Sequence, residues 1–201
     1  VFLSFMCVQA QASRGITIKT EQGRTVGQFQ GSYALLVGVS RYQDWPDLLS
    51  VPAEMDQVEA SLSQRGFQTK TVLNPDSVEL KDAFEQFIYE YGYDPHNRLL
   101  FFYPGHGYSR NHGKKGYLVP SDAPDPRESL PDVLRRSLDM SQILAWSRQM
   151  TAKHALFLFD SCFSGTIFQT KSLPDTPPHI DALTSKPVRQ YISGGSADQE
   201  L

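Results

Sequence analysis

Cysteine is nearly missing from this chain: two occur in 201 residues, Cys7 and Cys162. If the chain is cut after Ala12, Cys162 is the single thiol left, no internal disulfide can form, and an unpaired cysteine marks a reactive group. An excess of basic charge is also missing. The net charge of −3 leaves no electrostatic footprint for nucleic acid. No apolar run reaches the roughly 18 residues of a membrane-spanning helix. Several catalytic and binding motifs fail as well. Gly-x-Ser-x-Gly is absent, which excludes a nucleophile elbow. Gly107 to Lys115 departs from a phosphate-binding loop, because five residues separate Gly107 from Gly113 and no Ser or Thr follows Lys114. His106 and His112 have no cysteine or carboxylate at ligand spacing, so they are no zinc pair.

What is present is the composition of a single globular domain, 40% hydrophobic and 20% charged. Residues 1–31 are a lead segment. It opens apolar, "VFLSFMCVQA", and passes into Ala10-Gln11-Ala12, the small-x-small pattern of a signal-peptidase site, without the basic stretch that should precede it. Export through the end of a signal peptide and an apolar N-terminal strand stay open as readings, and localisation stays open with them.

From residue 32 apolar runs alternate with helical patterns. "YALLVGV", "RLLFFYP" and "HALFLFD" read as buried strands, "FQTKTVL" and "VRQYIS" as further strands. Met55, Val58 and Leu62 share one helix face, and Gly66 stops that helix. Asp76-x-x-Glu79 opens a second helix and Asp139-x-x-Gln142 a third. Continuous apolar strands between helices predict an α/β fold, a mostly parallel sheet covered on both faces. In such sheets function gathers at the carboxyl ends of the strands.

Two strands end in unusual chemistry. "LLFFYPGHGYS" (residues 99–109) stops in Gly-His-Gly, and "ALFLFDSCFSG" (residues 155–165) in Asp-Ser-Cys, 56 positions from His106 to Cys162. Glycine on both sides of His106 bares the backbone around an imidazole. A nearby imidazole turns a thiol into a nucleophilic thiolate, and acyl transfer needs backbone N–H donors for the developing oxyanion. Gly107 and Cys162 are natural donors. A buried core cysteine and a turn histidine are the plainer alternatives, and from the residues alone the two readings stand level.

"FFYPGHG", "GYLVPSDA" and "LFLFDSCFSG", in that order, resemble the caspase-like cysteine peptidases, especially metacaspases and bacterial caspase homologues; "ALLVGVSRY" and "QYISGGSADQE" resemble that family's first strand and the strand after its processing loop. The resemblance implies a caspase-like three-layer sandwich over residues 32–201, lacking its C-terminal part, and a zymogen. It implies His106 as base, Cys162 as nucleophile, and the amides of Gly107 and Cys162 as the oxyanion hole. Pro104 departs from the small residue that relatives carry there. Asp160 stands where caspases have Gln, as in metacaspases, and Asp56 is matched to that family's second pocket carboxylate. Two carboxylates favour Arg or Lys at P1, since one ion pair at about 4 Å and an effective dielectric near 20 is worth roughly 4 kcal/mol.

With basic P1, self-processing falls at Lys171 in the Pro-, Ser- and Thr-rich stretch after the nucleophile, with Lys186 and Arg189 as alternatives. The partners expected are protein or peptide substrates, with further domains or a second processed chain. No cofactor is assigned; calcium enters only through metacaspases, which often use it, and no dense acidic loop marks a site. The rival readings are an inactive caspase-like module acting by protein–protein interaction and a separase- or legumain-like protease with the same dyad.

Overall fold

The computed structural model describes residues 16–19, 23, 25–111, 113–161 and 187–194. A hairpin comes first, β1 (Ile16–Lys19) and β2 (Thr25–Phe29), paired antiparallel. Then follow β3 (Gly31–Gly38), α1 (Val51–Gln64), β4 (Gln68–Leu73), α2 (Ser77–Tyr91) and β5 (Asn97–Pro104). Three short strands, β6 (Gly107–Arg110), β7 (Lys115–Leu118) and β8 (Leu138–Asp139), form a small antiparallel sheet interrupted by α3 (Leu130–Arg136). The chain returns through α4 (Met140–Gln149), β9 (His154–Asp160) and β10 (Val188–Ser193).

Among the described residues the central sheet has five strands in the order β10-β9-β5-β3-β4, every pair parallel. This is the α/β arrangement expected from strands that are apolar along their whole length. Successive side chains alternate between its faces. Leu35, Val37, Leu99, Phe101, Tyr103, Phe157 and Phe159 join Phe84 and Phe87 of α2 and Ile143 and Trp146 of α4 in one core. Ala34, Leu36 and Leu100 meet Val51, Met55 and Leu62 of α1 on the other face. The larger core is aromatic: the Phe101 and Phe157 rings stack at 4.3 Å, and Phe84 stacks on Phe101 at 5.8 Å. Each fully buried phenylalanine contributes about 1.5–3 kcal/mol of transfer free energy.

Local chemistry sets the helix ends. The Asp76 carboxylate accepts from the Val78 and Glu79 amides, and Glu79 accepts in return from the Asp76 amide at 3.1 Å, so α2 opens on the expected capping box. After α1, Gly66 takes φ +79°, a left-handed turn that glycine makes without strain. Asp139 caps α4 by accepting from the Ser141 amide at 2.7 Å. At the other end of α4, Arg189 of β10 donates to the carbonyls of Ser147 and Met150, both at 2.9 Å. A guanidinium there complements the negative helix end and locks α4 to the sheet edge.

The structure adds elements that the sequence pattern did not announce. The lead segment, in which no hairpin was expected, contains the β1–β2 hairpin. The stretch between β7 and α4 contains α3, a two-turn helix with Pro131 in its first turn.

Candidate active site

The register of the sheet determines what stands beside what. β5 and β9 are parallel neighbours, Pro104 lies opposite Asp160, and the Gly105 amide donates to the Asp160 carbonyl at 3.3 Å. His106 is therefore two residues past the end of one strand at the point where the adjacent strand also ends. Ser161 continues from Asp160 as a buried residue. Cys162 lies outside the described residues, as do Lys171, Lys186 and His112. Arg189 is the β10 residue bonded to the end of α4.

Pro104 closes β5 without disturbing it. A proline gives up only its N–H, and its carbonyl still accepts from the Val39 amide at 3.0 Å. The glycine that follows is a packing necessity, because a Cβ on Gly105 would come within 2.8 Å of the Tyr103 ring and hydroxyl. Half of the Gly-His-Gly pattern thus serves the tyrosine beneath the loop.

His106 is half-buried and held from three directions. Its ring lies 4.8 Å from Tyr42 and 5.4 Å from Trp45, centroid to centroid. Its backbone amide donates to the Tyr42 hydroxyl at 2.8 Å. Its Nε2 lies 2.8 Å from the Pro46 carbonyl. A carbonyl can only accept, so Nε2 carries the proton and the free lone pair of the neutral ring is on Nδ1.

The loop that supplies these contacts, residues 39–50, is itself anchored. Asn74, with φ 55°, presents Oδ1 to the Ser40 amide (2.7 Å), the Ser40 hydroxyl (3.0 Å) and the Arg41 amide (3.0 Å). The Arg41 guanidinium and the Tyr42 amide both donate to Asp47 and hold its carboxyl below the ordinary carboxylate range. Trp45 donates Nε1–H to the Pro124 carbonyl at 2.8 Å. Tyr42, Trp45 and the Pro46 carbonyl are the site residues that sequence reasoning missed. The carbonyl leaves no trace in a sequence, since any residue could supply it.

Gly107 begins β6 opposite Leu118 of β7. The Val119 amide donates to the His106 carbonyl at 3.1 Å. That bond makes Gly107 and Leu118 a non-hydrogen-bonded pair, in which the N–H groups point away from the partner strand. The Gly107 amide is therefore turned away from β7.

Of the two predicted carboxylates, Asp160 stands at the carboxyl edge of the sheet, and Asp56 lies on α1, one residue after the Met55 that packs against Gly38 at the end of β3. Asp160 is the last residue of β9 and is exposed, and its Oδ1 lies so near Gly194 that a Cβ there would approach it to 2.9 Å. Asp56 is exposed in the second turn of α1, beside Met55, whose sulfur occupies the space a side chain at Gly38 would need. Glu54, half-buried on the other side of Met55, is a third carboxylate at that end of α1. Among the described residues neither Asp56 nor Asp160 has an ion-pair partner, and no group of three or more His, Cys, Asp or Glu side chains could hold a metal ion. No described helix is long and apolar enough to cross a membrane.

The caspase-domain family model matches residues 32–197. Over 150 residues the chain is 28% identical to the human protein named mucosa-associated lymphoid tissue lymphoma translocation protein 1; the match takes in 75% of this chain and 16% of that protein. Among solved structures, a Geobacter sulfurreducens protein overlaps with a TM-score of 0.49 at 18% identity, over 66% of this chain and 50% of that one. So partial an overlap bears on neither the fold nor the chemistry.

Proposed function

The chain belongs to the caspase-domain family, a family of the cysteine-peptidase type, and from that premise we propose that it is an endopeptidase with Cys162 as nucleophile and His106 as base, cutting after Arg or Lys. The observation that carries the reading is the Nε2–Pro46 contact at the end of β5, beside the end of β9. It leaves Nδ1 as the basic nitrogen, on a strand end adjacent to the one that leads through Ser161 into Cys162.

The chemistry proceeds in two halves. Nδ1 takes the thiol proton, and the thiolate forms a C–S bond to the scissile carbonyl. The resulting oxyanion is met by the amides of Gly107 and Cys162. Collapse breaks the C–N bond as the imidazolium returns the proton to the leaving amine, giving a thioester on Cys162. Water, deprotonated by Nδ1, then releases the new carboxylate and restores the thiol. The Pro46 carbonyl supports the imidazolium by accepting from Nε2–H throughout, so the ring keeps one tautomer and one orientation.

Asp160 and Asp56 are the residues proposed to select a cationic P1 side chain. Support comes from the position of Asp160 at the end of β9, from that of Asp56 in the second turn of α1, and from the lack of an ion-pair partner for either among the described residues. Lys171 is the proposed self-processing position.

Fluorogenic peptides that differ only at P1, Arg against Asp, test the reading with Cys162→Ala as control. Cleavage after Arg that vanishes in the variant is expected. Cleavage after Asp would overturn the acidic-pocket assignment, and cleavage that survives in Cys162→Ala would overturn the nucleophile. N-terminal sequencing of spontaneous fragments is expected to find a new start at Ser172; a start after an acidic residue would contradict it.

A further inference from the structure

Beneath the His106 loop two tyrosines occupy positions that the chemistry above does not use. Tyr103 is fully buried. Its hydroxyl lies 2.8 Å from the Val119 carbonyl and 3.1 Å from the His106 carbonyl. It also contacts the Tyr42 hydroxyl, which accepts the His106 amide at 2.8 Å. The His106 N–H donates to Tyr42, and the single proton of the Tyr103 hydroxyl is shared between the two carbonyls, the Val119 oxygen being the nearer. Burial pushes both hydroxyls well above the ordinary tyrosine range, so they stay protonated donors at any working pH.

The consequence falls on one peptide unit. The carbonyl of His106 belongs to the same planar group as the amide of Gly107, and no described peptide bond is cis. In a trans peptide the N–H points opposite to the C=O. A carbonyl gripped by the Val119 amide on one lobe and the Tyr103 hydroxyl on the other therefore aims the Gly107 N–H in a single direction, away from β7. We infer that Tyr103, supported by Tyr42, is a positioning residue for the oxyanion donor. It acts through the His106–Gly107 peptide and touches no substrate. The placement explains why a polar tyrosine sits in an otherwise apolar strand, and why residue 105 must be glycine above it.

This inference rests on the dyad reading, and the test separates the two. Two probes of Cys162 are used on the full chain. Iodoacetamide alkylates the thiolate by displacement and forms no oxyanion, so modification read at Cys162 by mass spectrometry, apart from Cys7, reports the Cys162–His106 pair. A tripeptide aldehyde ending in argininal adds the thiolate to a carbonyl and forms a hemithioacetal oxygen that the Gly107 amide would meet. Removing an oxyanion donor outright costs roughly 10²–10³ in rate, and mis-aiming one costs less, on the order of tenfold.

For Tyr103→Phe, kcat is expected to fall about tenfold with KM within twofold, and aldehyde affinity to fall by a similar factor, while the alkylation rate stays within twofold. Tyr42→Phe, which removes the acceptor of the His106 amide from a less buried position, is expected to lower kcat and aldehyde affinity by a larger factor than it lowers the alkylation rate. It keeps the inference falsifiable should Tyr103→Phe not fold. Unchanged kcat and aldehyde affinity in both variants would overturn the inference. A uniform loss that includes alkylation would overturn it too, since that is loosening of the fold. Absence of cleavage together with alkylation indifferent to His106→Ala would instead overturn the dyad, and this role with it.

Discussion

Replacing Asp160 with Asn removes one charge from the proposed P1 pocket and almost nothing else. The two side chains are isosteric, and Asp160 is exposed, so the exchange meets no packing constraint. The effect is bounded by electrostatics. A guanidinium about 4 Å from the carboxylate gains roughly 1 kcal/mol in bulk water and roughly 4 kcal/mol at an effective dielectric of 20. At about 1.4 kcal/mol per decade, those limits are roughly fivefold and a thousandfold in kcat/KM for an Arg substrate. Asp160 is exposed in the absence of substrate, so the value should fall toward the lower limit, about one decade. The assay is kcat/KM for paired Arg and Asp peptides at low and high salt, for the parent chain and Asp160→Asn. The parent should lose Arg preference as salt rises, and the variant should show a smaller preference with a weaker salt dependence. Asp56→Asn and Glu54→Gln, run alongside, apportion the remaining preference between the two carboxylates of α1. An Arg-to-Asp ratio unchanged in Asp160→Asn would refute the assignment of that residue to the pocket.

Two further predictions concern the frame that holds the site. Asp76→Ala removes the acceptor for two amides at the start of α2 and should lower unfolding free energy by about 1 kcal/mol in a urea titration, with an unchanged m-value. His154, half-buried against Phe29 at 4.9 Å, has its pKa lowered by burial and by the nearby Arg189 and Lys153 cations. A histidine with a depressed folded pKa binds its proton more readily when unfolded. Its contribution is therefore intact above the unfolded value of about 6.5 and is lost as pH falls below it. His154→Gln should flatten that part of the stability–pH curve, and an unchanged acid limb would contradict the assignment.

The frame was largely legible because its signals are local. Continuous apolar runs such as "ALLVGV" announce strands buried on both faces, and a carboxylate three residues ahead of Glu79 announces a helix start. Both follow from short-range sterics and hydrogen bonding. The parallel adjacency of β5 and β9 is a different kind of fact. It follows from the shared order of the fold, and only the register of Pro104 on Asp160 makes the strand ends level. The β1–β2 hairpin was missed because its few apolar residues are scattered among polar ones and glycine. Helix α3 was missed because two turns are too short for a periodic face to emerge.

At the site, the chemistry of residue types was legible and their support was not. His106 and Gly107 stand out in "PGHG" because glycine around an imidazole is poor packing and good access. The Pro46 carbonyl is a backbone atom 60 positions away, invisible to any pattern of side chains. Tyr103 looks like one more apolar residue in "LLFFYP" until its hydroxyl is seen on two carbonyls. The glycine at 105, read as a means of exposing the histidine, also answers to the ring beneath it.

The central claim is a thiol activated by His106, and the pH dependence of Cys162 alkylation tests it most directly. The rate of iodoacetamide modification, followed by mass spectrometry at Cys162 from pH 4 to 10, should stay high well below the ordinary thiol range around 8.5 in the parent chain. In His106→Ala it should follow a simple rise near that ordinary value. Coincident profiles in the two chains, both rising near 8.5, would mean that the imidazole does not serve this thiol, and the proposed peptidase mechanism would fall.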